Sequence, residues 1–246
     1  DVGTILATGY IDYDGWDYGP VFSTFGYNTV EGLRVRFGGR TYGTLNDLWR
    51  FQGYGAYGFK DNQFKYGISG KVLLDRKSRL ILSAGNRRDV EQLGASLTNS
   101  TDVLGRSLAS SSLITVGSND RLSSINLTNV ALEFEPKKNF SFRTDFTYKT
   151  LKSASPTFSL DYFTDEARTQ TASELQQVEI STKLSYTPGR KTTGYGVERT
   201  LINEGEYANV FLNYTLGVKN LIDSDFDYQK VQLFYRQPWK IGGIGR

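Results

Sequence analysis

Between Glu31 and Asp75 apolar and polar side chains alternate with a period of two, the pattern of strands with one greasy face and one wet face. In Glu31–Thr41, Leu33, Val35 and Phe37 share one face, and Arg34, Arg36 and Arg40 the other. Trp49–Phe59 sets Trp49, Phe51, Tyr57 and Phe59 against Arg50, Gln52 and Tyr54, with Gly53 and Gly55 interrupting the apolar row. Phe64–Asp75 opposes Tyr66, Ile68, Val72 and Leu74 to Lys65, Ser69, Lys71 and Asp75, and Lys60-Asp61-Asn62-Gln63 before it reads as a hairpin turn.

The alternation returns downstream. Arg79–Arg87 predicts a short strand with Leu80, Leu82 and Ala84 on one face. Leu127–Pro136 sets Val130, Leu132 and Phe134 against Glu133 and Glu135; after the turn Lys137-Lys138-Asn139, Phe140, Phe142, Phe146 and Tyr148 face away from Arg143, Asp145 and Lys149. Val178, Ile180, Leu184 and Tyr186 oppose Glu179 and Lys183, Val210–Val218 carries one apolar stripe, and Phe226–Gln237 places Val231, Leu233 and Tyr235 together. With a weaker strand near Thr157–Thr164 and one or two before Val30, the count is roughly nine to eleven strands. Arg88–Ser124, with its run Ser110-Ser111-Ser112, and Thr187–Tyr207 read as long irregular connections, which are uncommon in compact soluble domains.

These strands predict an all-β fold, an antiparallel transmembrane β-barrel or part of one. A soluble sandwich shows the same alternation, so the polar face has to discriminate. Here it carries long charged side chains of both signs, as on the inner wall of a barrel. Arg34, Arg36, Arg40 and Arg50 are the candidate lumen cations, and Glu133, Glu135, Asp145 and Glu179 the carboxylates able to pair with them. Aromatics at strand ends, among them Trp49, Phe59, Phe140, Tyr148, Tyr186 and Trp239, stand where barrel girdles meet lipid headgroups.

Composition narrows the function classes. With no Cys and no His, disulfides, thiolate and Ser-His nucleophiles, His-bearing zinc sites and haem ligation by His all drop out. No spacing among the remaining carboxylates, Lys, Tyr and Ser marks a catalytic or metal site, so neither an enzyme nor a cofactor is expected. The 29 basic and 26 acidic residues are scattered, which gives no nucleic-acid footprint. No apolar run reaches the ~18 residues of a transmembrane helix. The Asn-x-Ser/Thr matches at Asn99, Asn126, Asn139 and Asn213, and Gly53-x-Gly55 without a strand-to-helix setting, carry no chemistry.

The stretch Asn28–Thr41, followed by Phe51-Gln52-Gly53-Tyr54-Gly55-Ala56-Tyr57-Gly58-Phe59-Lys60-Asp61 and Phe64-Lys65-Tyr66-Gly67, resembles a large family of Bacteroidota outer-membrane proteins. That family pairs an N-terminal carboxypeptidase-regulatory-like domain with a barrel akin to the surface-antigen barrels of outer-membrane assembly factors. The likeness is strongest over Gly9–Gly94 and returns around Gly194–Gly245, through Tyr195-Gly196-Val197-Glu198-Arg199 and Tyr214-Thr215-Leu216-Gly217-Val218-Lys219. The regulatory-like domain and the Val-Arg-Gly-Phe/Tyr loop motif of assembly factors are not found in it.

The resemblance implies a non-enzymatic integral protein of the bacterial outer membrane with a part in envelope biogenesis or transport. Its partners would be outer-membrane lipid and other envelope proteins. The expected unit is one barrel domain over residues 1–246, incomplete at its C-terminus. One alternative is a TonB-dependent or porin-like transporter, since Gly217–Asp223 is similar to a late-strand phrase of such barrels. Another is a soluble β-sandwich that binds carbohydrate through exposed Trp and Tyr. Gly53 and Gly55 are expected to mark a bend in the sheet, or else a thinned, insertase-like seam.

Overall fold

The computed structural model describes residues 9–41, 44–92, 122–155, 158–202 and 207–239. Its strands are β1 (Ile11–Tyr13), β2 (Trp16–Tyr18), β3 (Phe25–Asn28), β4 (Gly32–Thr41), β5 (Trp49–Gly58), β6 (Gln63–Asp75), β7 (Leu80–Gln92) and β8 (Leu122–Lys137). They continue with β9 (Phe140–Ser153), β10 (Tyr162–Phe163), β11 (Thr171–Ala172), β12 (Glu174–Tyr186), β13 (Thr192–Thr193), β14 (Thr200–Leu201), β15 (Asn209–Gly217) and β16 (Tyr228–Arg236). The fold is all-β and antiparallel, with one 3-10 turn at Val21–Ser23 and no α-helix among the described residues.

Twelve strands form a single sheet in the order β1-β2-β4-β5-β6-β7-β8-β9-β12-β15-β16, with β3 also paired to β4. This exceeds the expected nine to eleven because three short strands, not one or two, precede Val30. β2 and β3 act as one interrupted strand against β4, pairing Trp16 with Thr41 and Phe25 with Val35 on either side of the 3-10 turn. From β4 onward the sheet is a meander, and the ribbons β10–β11 and β13–β14 sit within connections. The two edges, β1 and β16, do not pair with each other among the described residues.

Turn chemistry follows the chain. Asp14 and Gly15 both adopt positive φ between β1 and β2, the conformation a tight hairpin needs, and Asn62 and Asn139 supply the left-handed residue of the β5–β6 and β8–β9 turns. These connections define two rims. One, the tight-turn rim, carries the described residues 44–48, 76–79, 138–139, 187–202 and 207–208; the other, the loop rim, carries 29–31, 59–62, 154–155, 158–173 and 218–227.

Both stretches expected to be irregular contribute strand. β7 runs on to Gln92 and β8 starts at Leu122, so Arg88–Gln92 pairs with Leu122–Asn126, while residues 93–121, with the serine run and Asn99, lie outside the described residues. The extension lacks an apolar alternation because Asn86 and Arg88 follow Leu80, Leu82 and Ala84 on the apolar face, opposite the ion-paired Arg87, Asp89 and Glu91. Thr187–Tyr207 carries the two-residue strands β13 and β14.

The sheet is inverted relative to one that packs in water. Its apolar side chains are the exposed ones, Phe37 at 61%, Phe64 at 62% and Trp49 at 58%, whereas Arg34 at 2%, Lys65 at 3% and Asp145 at 4% are covered. The polar face is concave. Arg34 on β4 bonds Asp89 on β7, three strand spacings and roughly 14 Å away along a flat sheet, so the strands must curl to bring them together. Apolar clusters are correspondingly small: Tyr54 with Ala56; Leu73 and Ile81 with Val197; Val30, Val90 and Leu122.

Close packing on the curled sheet fixes where glycine is required. Tyr54 crosses the strand pair over Gly38, where an added Cβ would come within 2.7 Å of the Tyr54 Cβ and 2.9 Å of the Gly53 carbonyl. On the exposed face the Phe64 ring lies over Gly55, 3.0 Å from where a Cβ would stand. Gly55 is therefore a seat for an aromatic ring, which neither the expected bend nor the seam described.

Gly38→Val is expected to destabilise the fold by about 1–3 kcal/mol through overpacking. Gly70→Ala, whose Cβ would meet nothing closer than 3.7 Å, is expected to be tolerated. Urea titrations of both variants check the contrast, and equal midpoints would contradict it.

Candidate functional site

The concave face holds the charged groups, and alternation in the strands decides which they are. Toward the loop rim, β4 presents Arg34, β5 Tyr54, β6 Lys65 and β7 Asp89. The Arg34 guanidinium donates to both Asp89 oxygens, from Nη1 at 2.6 Å and Nη2 at 2.9 Å, and to Glu31 at 3.2 Å. The Tyr54 hydroxyl donates to Asp89 at 2.5 Å, and Lys65 bridges Glu31 at 2.7 Å and Asp61 at 2.6 Å. Asn28 donates to the other Glu31 oxygen at 2.6 Å, while its own side-chain oxygen accepts from the Val30 and Glu31 amides. Glu31 is fully buried.

A second cluster spans β8, β9 and β12. Arg143 donates to Asp145 at 2.9 Å and pairs with Glu133 at 3.4 Å, and Lys183 reaches the second Asp145 oxygen at 3.2 Å. Glu179 takes Lys149 at 2.5 Å and also accepts from the Tyr228 hydroxyl on β16.

The third cluster is built by the connection between β12 and β15, which folds as a strap over the tight-turn rim. Tyr195 and Gly196 donate their amides to the Leu45 carbonyl at 2.9 and 2.6 Å, and Val197 donates to Asp47 at 2.7 Å. Arg79, in the β6–β7 turn, donates to the carbonyls of Gly196 at 2.8 Å and Val197 at 3.2 Å. Burial, with the neighbouring Arg199 cation, lowers the pKa of Arg79 from its ordinary value. Val197 packs on Leu73 and Ile81. Glu198 sits 2.5 Å from Lys71 and 3.8 Å from Arg50, and Arg199 bonds Glu135 at 2.7 Å. Only glycine fits at 196, since a Cβ there would stand 2.4 Å from the Asp47 carbonyl.

The eight candidate residues thus share the less exposed face, but not the partners expected for them. Arg34 pairs with Glu31 and Asp89, Arg40 with Asp17 at 2.9 Å, and Arg50 with Glu198. Arg36 donates to Ser23 at 2.5 Å and stacks on Tyr54, 4.1 Å from the ring centroid; Arg40 stacks likewise on Tyr10. Glu133 and Asp145 take Arg143, Glu135 takes Arg79 and Arg199, and Glu179 takes Lys149. Among the described residues Arg34, Arg40 and Arg50 take their countercharges from Glu31 and Asp89, from Asp17 and from the strap's Glu198, and not from the second group.

Lys65, Arg143, Lys149 and Lys183 lie on the face that alternation marks as polar and were legible as such. Asp89 was not, being in a stretch read as irregular, and nor was Glu31, at a strand start. Arg79 and Glu198 escape too, since a turn residue and an excursion have no periodicity to place them. Chemically the arrangement neutralises and holds: each interior acid named here faces a cation.

A family described as "Family of unknown function (DUF5686) C-terminal domain" matches residues 7–246. None of the curated proteins matches the chain.

Removing one member of a covered ion pair leaves the other uncompensated, so Asp89→Asn is expected to cost about 3–5 kcal/mol, and the pair Arg34→Met with Asp89→Leu less than the sum of its single changes. A double-mutant cycle by denaturant titration reads this, and simple additivity would refute the coupling. Gly196→Val is expected to lift the strap and open residues 190–202 to added protease, at a rate the unsubstituted chain does not show.

Proposed function

The chain belongs to the DUF5686 family, as its C-terminal domain, and from that premise we propose that it is an integral β-barrel protein of the bacterial outer membrane, with a non-enzymatic role in envelope biogenesis or transport. The observation that carries this reading is the inverted sheet. Phe37, Trp49, Phe64, Ile68, Leu74, Leu82, Val130 and Leu132 stand exposed on the consecutive strands β4 to β8, while the charges opposite are covered and paired. In water such a surface would be a large unfavourable apolar patch; against lipid it is the stable side.

Dimensions support the same reading. On β6 the exposed row runs from Phe64 to Leu74, roughly 34 Å along the strand and roughly 26 Å in height at a 40° tilt, against the ~25 Å apolar band of an outer-membrane barrel. Aromatic pairs flank it at both rims: Tyr57–Phe59 at one, and Trp16–Phe51, Phe134–Phe142 and Phe140–Tyr186 at the other. In a bilayer the free edge groups of β1 and β16 need partners, so the reading entails closure of the sheet or further strands beside it.

A soluble carbohydrate-binding sandwich would need a second layer against the apolar face, and no such layer covers it among the described residues. The strap across the tight-turn rim and the dense ion pairing weigh against a wide water-filled pore, which favours a biogenesis role or a gated transporter over an open porin.

The test is refolding from urea into zwitterionic phosphatidylcholine vesicles: flotation with the lipid, and strand-rich circular dichroism that resists added protease, are expected. A chain that folds and stays in the aqueous fraction without lipid or detergent would refute the reading. Val130→Arg, mid-strand on β8 and 45% exposed, is expected to lower the stability of the inserted state by about 2–4 kcal/mol, whereas a soluble sheet would accept it at little cost.

A further inference from the structure

The three hairpin tips that follow one another along the tight-turn rim each carry two adjacent cations. They are Arg76 and Lys77 between β6 and β7, Lys137 and Lys138 between β8 and β9, and Arg190 and Lys191 after β12, and all six are exposed. The tips touch: the Glu135 amide bonds the Ser78 carbonyl at 2.8 Å, the Thr187 amide bonds Asn139 at 2.9 Å, and the Asn139 side chain bonds the Arg190 carbonyl at 3.0 Å. Successive tips are two strands apart, roughly 10 Å, comparable with the screening length of ~8 Å at physiological salt, so their fields overlap.

Of the carboxylates nearby, Glu135 and Glu198 are held in the strap's ion pairs, and Asp75, which accepts from the Ser78 amide and hydroxyl, also lies in the field of Lys77, leaving the collar with a net positive charge. Among the described residues no ion pair forms on Arg76, Lys77, Lys137, Lys138 or Arg190. The loop rim has the opposite character, with Asp161, Asp165, Glu166, Asp223, Asp225 and Asp227 in its connections. Immediately beside the basic tips, on the apolar face, lie the aromatic pairs Phe134–Phe142 and Phe140–Tyr186.

We propose that this basic collar binds the headgroup phosphates of anionic glycerophospholipids, setting the tight-turn rim on an anionic phospholipid leaflet with the loop rim on the far side. This rests on the membrane-spanning reading. Aromatic rings at the edge of an apolar band with cations just beyond them match the two layers of a lipid interface, ester region and phosphate, in order.

The experiment uses the chain reconstituted in phosphatidylcholine vesicles containing trace spin-labelled phosphatidylglycerol or phosphatidylcholine, and reads the fraction of each label immobilised at the protein. A several-fold preference for phosphatidylglycerol is expected, collapsing toward one in about 1 M salt, where the screening length falls to about 3 Å. The variant Lys77→Gln, Lys137→Gln, Lys138→Gln, Arg190→Gln should lose most of that preference with unchanged circular dichroism. Arg168→Gln with Lys219→Gln, at the loop rim, should keep it.

No preference in the unsubstituted protein, equal loss in the loop-rim control, or a stronger preference for lipid A than for phosphatidylglycerol each overturns the inference and leaves the membrane-spanning reading standing. Failure to enter the neutral vesicles at all overturns both.

Discussion

Charge neutrality on the concave face is the constraint on which the other features turn. A guanidinium such as Arg34, almost wholly removed from solvent, is tolerable only with a countercharge at hydrogen-bond distance, because its desolvation otherwise costs several kcal/mol. Asp89 supplies that countercharge from three strands away, so satisfying one pair fixes how tightly four strands curl. The glycine under Tyr54 has the same origin. The hydroxyl reaches Asp89 only if the ring lies flat across β4, and only Gly38 leaves room for it.

The two faces of the sheet therefore divide the work of stability unequally. In a water-soluble sheet the covered face gains from apolar burial and the exposed face is indifferent. Here the covered face is held by ion pairs and hydrogen bonds, and the apolar clusters are two or three residues each. The driving force for assembly then resides in what surrounds the exposed face, and protein-internal contacts specify shape more than they supply stability.

Much of this was legible in the sequence. The period-two alternation from Leu33 to Leu74 and from Val130 to Tyr148 assigned strands and faces, because a pleated strand admits no other disposition of its side chains. It could not assign partners: alternation says that Arg34 and Asp145 share a face, but the distance between β4 and β9 around a curled sheet is set by every strand between. Asp89 lay hidden because charge, not grease, satisfies the end of β7. The strap was hidden for a different reason, since Gly196 owes its place to a backbone it meets only after the sheet has formed.

That last feature bears on how the chain assembles. The bonds from Arg79 to the strap join residues 117 and 118 positions apart, and the amides of Tyr195 and Gly196 seek a carbonyl at Leu45, farther still. The other strand pairings from β4 onward join neighbours in the meander, and each closes a shorter loop than these. Contacts of such long range are the slowest to become favourable. The strap can dock only when β5 through β12 already stand in register, which makes its docking a report that the preceding strands have been laid down correctly, and its absence the mark of a chain still under construction.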